Sequence, residues 1–268
     1  MKELNKVLLY ILSILLIFSL LLIIYYVVGN HNKDNSKTEI EKINELHIKN
    51  IDNYYLAINS EKTNVTIKTG DYFYLESDNR NIKIDYDKGN SSIVIDEKRL
   101  SSFDYVNSYN MTIQMPSTFF KEVDINAESG NVVIDELYTN TLNLTVGSGK
   151  TNIDNLTVYK ECNINSGVGK VNINGNVINN LKLLSGVGES EISTILTGNN
   201  IISSGVGNVY ITLLQGSNHY TFNNKKGIGD IRIDNKKVND GVYGKGPSIV
   251  DVTSGIGNIN IVFKESSK

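Results

Sequence analysis

Few of the residues equipped for chemistry stand alone in this chain; most recur at a fixed interval. Aligned on glycines at 130, 149, 169, 188, 207, 229 and 257, one column reads Asp135, Asp154, Asn174, Ser193, Thr212, Asp234 and Val262. A row of oxygen-bearing side chains is the raw material of a calcium site. Only Asp135 and Asp154 are adjacent acids, however, and the aspartate-rich nonapeptide of calcium-binding β-rolls is missing. The column reads as a solvated strand end, with no metal expected. A second column reads Val133, Asn152, Asn172, Glu191, Tyr210, Arg232 and Asn260. Its charged members, Glu191 and Arg232, are two copies apart and away from any cluster of acids. General acid–base catalysis needs a titrating group held beside substrate or metal by such neighbours.

The remaining reactive types are equally sparse. His31, His47 and His219 are scattered in sequence. Cys162 is the only cysteine, so no intramolecular disulfide can form, and its column places it as a buried small hydrophobe. The repeated S-G-x-G invites comparison with a phosphate-cradling loop. That loop occurs once, between a strand and a helix; here the turn returns seven times with no helix after it. The expectation is a non-enzyme without a cofactor.

The elements that carry these columns follow from the same alignment. Successive glycines lie 19, 20, 19, 19, 22 and 28 residues apart. Four residues after each comes Ile134, Ile153, Ile173, Ile192, Ile211, Ile233 and Ile261. Alternate residues of a strand face opposite sides, so this column points into a core and the Asn172, Glu191, Tyr210 and Arg232 column points to solvent. A second inward strand precedes each glycine, for example Cys162 and Ile164, then Leu181 and Leu183. Leu156 to Val158 hints at a short third. A period near 20 with strand patterning predicts an all-β, β-helix-like solenoid with like strands stacked in parallel. The glycines permit positive φ and close approach of stacked turns. Glycine-repeat rungs span 123–263 within a β-repeat domain over 43–265. Upstream, alternation marks Val65 to Ile67, Ile82 to Ile84, Ile93 to Ile95 and Met111 to Met115 as strands. Eleven aromatic residues fall between Tyr54 and Phe120, against seven after Gly130, which predicts that the first half closes the N-terminal end of the core. Asparagine is abundant, reflecting either an AT-rich genome or turns that tolerate it.

Val7 to Val28 has no charge and consists mostly of Leu and Ile. As a helix rising about 1.5 Å per residue it matches a bilayer core of about 30 Å. No A-x-A cleavage site or lipidation cysteine follows, so it reads as an uncleaved transmembrane anchor. Residues 1–6 are then cytoplasmic, 29–42 form a linker, and the long C-terminal domain lies outside the cell, because long domains cross regardless of charge. The net charge of −3 and pI of about 5.7 argue against a nucleic-acid binder.

With these residues in place the chain resembles the adhesin candidates of the DUF4097 family. The resemblance rests on Asn64 to Asp71, on Met111 to Pro116 leading into Val123 to Val132, and on the glycine repeats, and it covers about Ile43 to Lys264. It implies a β-helix-like fold on a membrane-anchored bacterial surface protein, with some members tied to envelope-stress regulation; it supplies no catalytic or ligand residues. The long last spacing, with Asn239 to Ser248 inserted, departs from the pattern and reads as a loop. The expected function is an adhesin-like binding module whose outward column, Asn172, Glu191, Tyr210 and Arg232, meets an unidentified envelope protein or wall polymer. A regulatory or structural ectodomain is the alternative. A polysaccharide-active enzyme is the second, since β-helix folds host lyases although fold alone confers no function.

Overall fold

Isoleucine, valine and leucine at every second position give each segment one apolar face, and the short period leaves room only for strands. In the computed structural model residues 41–44, 51–98 and 108–264 are described; the expected membrane segment at 7–28 and the chain up to residue 40 lie outside them. The described residues are all-β apart from a single 3₁₀ turn at Ser217–His219. Strands of like sequence stack in parallel and in register: Ile153 beside Ile173, Ile173 beside Ile192, Ile192 beside Ile211. Each rung has a strand before the S-G-x-G turn and one after it. A short third segment pairs Thr157 and Val158 with Val177 and Ile178, and these with Ile195 and Leu196.

The inward columns are buried from Ile134 to Ile261 after the turn, except that Ile233 in the outermost rung is half-buried, and from Val123 to Val252 before it; Cys162 is among them. The turn is dictated by stacking. Gly188 has φ +145°, and a Cβ there would lie 1.8 Å from the carbonyl oxygen of Gly169 in the neighbouring rung. At Gly186 a Cβ would lie 2.4 Å from the carbonyl oxygen of Gly167. No L-residue with a side chain fits either position without moving backbone.

The rungs do not stack in chain order at the two ends. Ser248–Ile256 is inserted between Asn199–Val206 and Tyr220–Ile228, and Ile259–Phe263 between Val209–Leu213 and Ile231–Ile233. The Gly257 rung therefore sits inside and the Gly229 rung outside. The N-terminal end is arranged likewise. Tyr55–Ser60 lies between Ser92–Glu97 and Phe119–Ser129, and Thr63–Thr69 between Tyr109–Met115 and Val132–Ile134. Each end is then covered by antiparallel strands. Ile82–Asp87 and Tyr74–Ser77 cover the N-terminal end, with Glu41–Asn44 beyond; Gly241–Gly244 and Lys236–Val238 cover the other. The segment expected as an inserted loop at 239–248 thus contains a capping strand. Capping matters because an open parallel edge is a template for aggregation.

Aromatic plugs fill both ends, not the N-terminal end alone. Phe73 and Phe120 are buried in the first half. Tyr220, Phe222 and Phe263 pack on one another near the C-terminal cap, with ring centroids 5.8–6.1 Å apart. At the N-terminal end the Glu97 carboxylate is buried. It accepts hydrogen bonds from the Glu61 and Lys62 amides, the Ser60 hydroxyl and the Asn79 side chain, at 2.7–3.2 Å. Four donors from two segments, Ser60 to Lys62 and Asn79, replace water around the carboxylate, as burial of a polar group requires.

Candidate functional site

The outward column forms one row across the second sheet. In space its order is Asn152, Asn172, Glu191, Tyr210, Asn260, Arg232. Because the Gly257 rung is inserted, Arg232 lies three rungs from Glu191 instead of two, with Asn260 between it and Tyr210. Each proposed contact residue already has a neighbour. Asn172 donates through Nδ2 to Asn152 Oδ1 at 2.7 Å. Glu191 pairs with Lys170 at 2.9 Å, and Lys170 also reaches Glu189 at 3.0 Å. The Tyr210 hydroxyl accepts from the Asn208 amide at 3.3 Å. Asp230 bridges Arg232 at 3.5 Å and Lys237 at 2.8 Å. Lys237 comes first among the causes that hold the Asp230 carboxyl below its usual range. The face is an ordered polar surface in which each charged group is already paired with a neighbour of opposite sign.

The column weighed for calcium is occupied by amides. Asp154 accepts from Asn174 at 2.8 Å through Oδ1 and from Asn152 at 3.1 Å through Oδ2. Among the described residues no three His, Cys, Asp or Glu side chains converge as a metal would need. Burial pushes the Cys162 thiol far above its ordinary pKa, the opposite of what a nucleophile needs. One cleft lies between Lys68, Thr69, Met115 to Thr118 and Glu136 to Tyr138, and its volume is ≈ 10 Å³. That is about one water, against roughly 300–1,000 Å³ for a small-molecule site. In it Glu136 accepts hydrogen bonds from Tyr138 at 2.8 Å and Thr69 at 3.2 Å. The Tyr138 hydroxyl, then that of Ser117, lowers the Glu136 pKa.

Two features went unread in the sequence. One is the role of asparagine: side-chain amides bridge rung to rung. Asn163 bonds Asn143, which bonds Asp124; the Asn131 side chain accepts from the Lys150 amide and that of Asn258 from the Asp230 amide. The signal was available as repeated Asn in fixed columns. Such ladders satisfy side chains that the rung spacing of about 4.8 Å brings together. The other feature is an exposed apolar ridge. The residue just before each turn glycine is Val168, Val187, Val206, Ile256 and Ile228 in successive rungs, and all five are exposed.

A stack of parallel rungs, capped at both ends and carrying amide ladders and paired charges outside, defines a β-solenoid fold. Within that class the chain belongs to the Toastrack DUF4097 family, whose profile matches residues 48–268. Similar solved structures include a candidate cell adhesion protein from Clostridium sporogenes, 15% identical over 84% of this chain and 98% of that one, with a TM-score of 0.37. A candidate adhesin from Bacteroides fragilis is 16% identical over 80% and 94% of the two chains, with a TM-score of 0.42. One from Parabacteroides merdae is 15% identical over 80% and 93%, with a TM-score of 0.31. No curated protein matches the chain.

Proposed function

We propose that this chain is a non-catalytic, adhesin-like binding module of the bacterial envelope, recognising another envelope protein or a wall polymer through the outer face of its second sheet. The observation that carries this reading is the row Asn172, Glu191, Tyr210, Asn260, Arg232. These residues present amide, carboxylate, phenol, amide and guanidinium groups on successive rungs held in register by backbone pairing. A regular polar face on a rigid stack suits a partner that is itself extended. Contacts with groups already paired within the face are individually weak, so affinity accumulates over rungs or over clustered copies. Anchoring through 7–28, with the N-terminus cytoplasmic and the solenoid outside, supplies that clustering. No cofactor or metal enters this reading.

The test is capture from envelope extracts by the full-length chain in detergent, beside a variant with Ala at Asn172, Glu191, Tyr210 and Arg232. Loss of a captured component in the variant is expected, and equal capture excludes this face. Protease added to wall-stripped cells is expected to digest the solenoid; a product beginning near Gly29 in the medium contradicts the anchor. Turnover of a wall polysaccharide by the purified chain overturns the non-catalytic reading.

A further inference from the structure

The ridge of Val168, Val187, Val206, Ile256 and Ile228 is an unusual thing to leave in water. Its members stack directly, each beside the next, over four strand spacings or roughly 19 Å. Exposure runs from 44% at Val206 to 71% at Ile228. The turn geometry does not demand these residues: Ser129 and Ser148 fill the same column in the two preceding rungs. On one side of the ridge runs a row of glycines, Gly167, Gly186, Gly205, Gly255 and Gly227, with no side chains to fence it. A contiguous apolar strip with an unobstructed flank marks a contact surface.

The charges on the other side of the ridge indicate what covers it. Beside its first rungs, Lys170 pairs with Glu189 and Glu191, a cluster of net charge −1. Beside its last rung, Asp230 pairs with Arg232 and Lys237, a cluster of net charge +1. When two copies meet ridge to ridge, a two-fold axis in the interface leaves two registers. Parallel ridges put the charged columns on opposite sides, where they meet nothing of opposite sign. Antiparallel ridges put them on the same side in reversed order, so that the −1 cluster of each copy faces the +1 cluster of the other. Val206, the middle member, then meets itself, and Val168 meets Ile228.

We propose that two copies of this chain pair antiparallel along this ridge, about a two-fold axis at Val206. The interface is isologous, so each charge match occurs twice. Five half-exposed aliphatic side chains fall short of the about 800 Å² per partner typical of a stable complex. The pairing is therefore weak and reversible in solution and gains strength where copies are concentrated. It uses a different surface from the sheet face and stands whether or not that face binds. Two anchored copies in this register have their solenoids running in opposite directions, which suits two apposed membranes; that consequence alone rests on the anchor reading.

Cysteine scanning of the full-length chain in detergent tests the register. The native Cys162 thiol is buried and stays silent, and each new cysteine replaces an exposed residue. Under mild oxidation Val206→Cys is expected to form a disulfide-linked dimer. Val168→Cys and Ile228→Cys are expected to cross-link with each other when mixed but not with themselves. The Val206→Cys yield is expected to fall several-fold between about 0.01 and 1 M salt, as the screening length shrinks from about 30 to 3 Å. Val187→Arg in that background is expected to abolish the link while leaving the melting temperature unchanged. Self-linking at all three positions means parallel ridges and overturns the proposal, as does the absence of a cross-link at Val206 or a yield indifferent to salt.

Discussion

Replacing Ile192 by Asn and, separately, Glu191 by Asn puts the same side chain at adjacent positions that face opposite ways. Ile192 is 2% exposed and stacks between Ile173 and Ile211. Losing its burial costs about 1.5–3 kcal/mol. Placing an amide among aliphatic neighbours adds about 1–3 kcal/mol when no partner is in reach. The stacked rungs above and below prevent the backbone from moving to supply one, so a loss of roughly 3–5 kcal/mol is expected. The Glu191 side chain is 42% exposed and pairs with Lys170, which keeps Glu189. An exposed pair is worth well under about 1 kcal/mol, and an asparagine there sits beside Asn172. The change is expected to stay within about 0.5 kcal/mol. Urea unfolding of the full-length chain in detergent, followed by the β-sheet circular dichroism signal, measures both. Equal losses would refute the assignment of inward and outward columns on which the site rests.

Three further outcomes follow from the geometry. Gly188→Ala and Gly241→Ala both place a Cβ at positive φ, but a Cβ at Gly241 meets nothing within 4 Å; denaturation midpoints are expected to show about 1–3 kcal/mol lost at Gly241 and clearly more at Gly188. The Cys162 thiol is expected to resist a thiol reagent in native protein and to react stoichiometrically only across the unfolding transition, which a colorimetric titration reads. The folded-state pKa of Glu136 is depressed, so its stabilisation is present above the unfolded carboxylate value of about 4.3 and is lost as pH falls through the lower folded one. Stability curves of wild type and Glu136→Gln are therefore expected to differ at neutral pH and to converge in acid.

Much of the architecture was legible because repetition averages out noise. Seven isoleucines four residues past seven glycines identify an inward column that one strand never could, and Cys162 falls inside by the same alignment. Rung order was not legible. Ile211, Ile233 and Ile261 are interchangeable as core residues, so chain order was the natural guess. The only trace of the exchange was the widening of the spacing to 22 and then 28 residues. The extra length carries the chain past a vacant place and folds as Lys236–Val238 and Gly241–Gly244. The site was half legible. Which residues point outward came from alternation, but that Glu191 is held by Lys170, or Arg232 by Asp230, depends on side chains from neighbouring strands and turns. The ridge was visible as the x of S-G-x-G, yet only the turn geometry reveals that this residue faces water.

The exchanged rungs change what it means for this chain to be finished. A sequential solenoid can wind as it is made, each turn settling on the last, and losing its final turn merely shortens it. Here the strands Tyr220–Ile228 and Ile231–Ile233 are synthesised before their neighbours Ser248–Ile256 and Ile259–Phe263. While the ribosome is still delivering those last residues, the growing stack exposes Asn199–Val206 and Val209–Leu213 as a bare edge. A stop codon or a protease cut near residue 247 would not trim the outermost rung: it would remove the slat next to it and strand the rung beyond. The C-terminal rungs are thus committed only once residues 248–263 have emerged, whereas the rungs between Gly149 and Gly207 follow chain order and can settle one on the last.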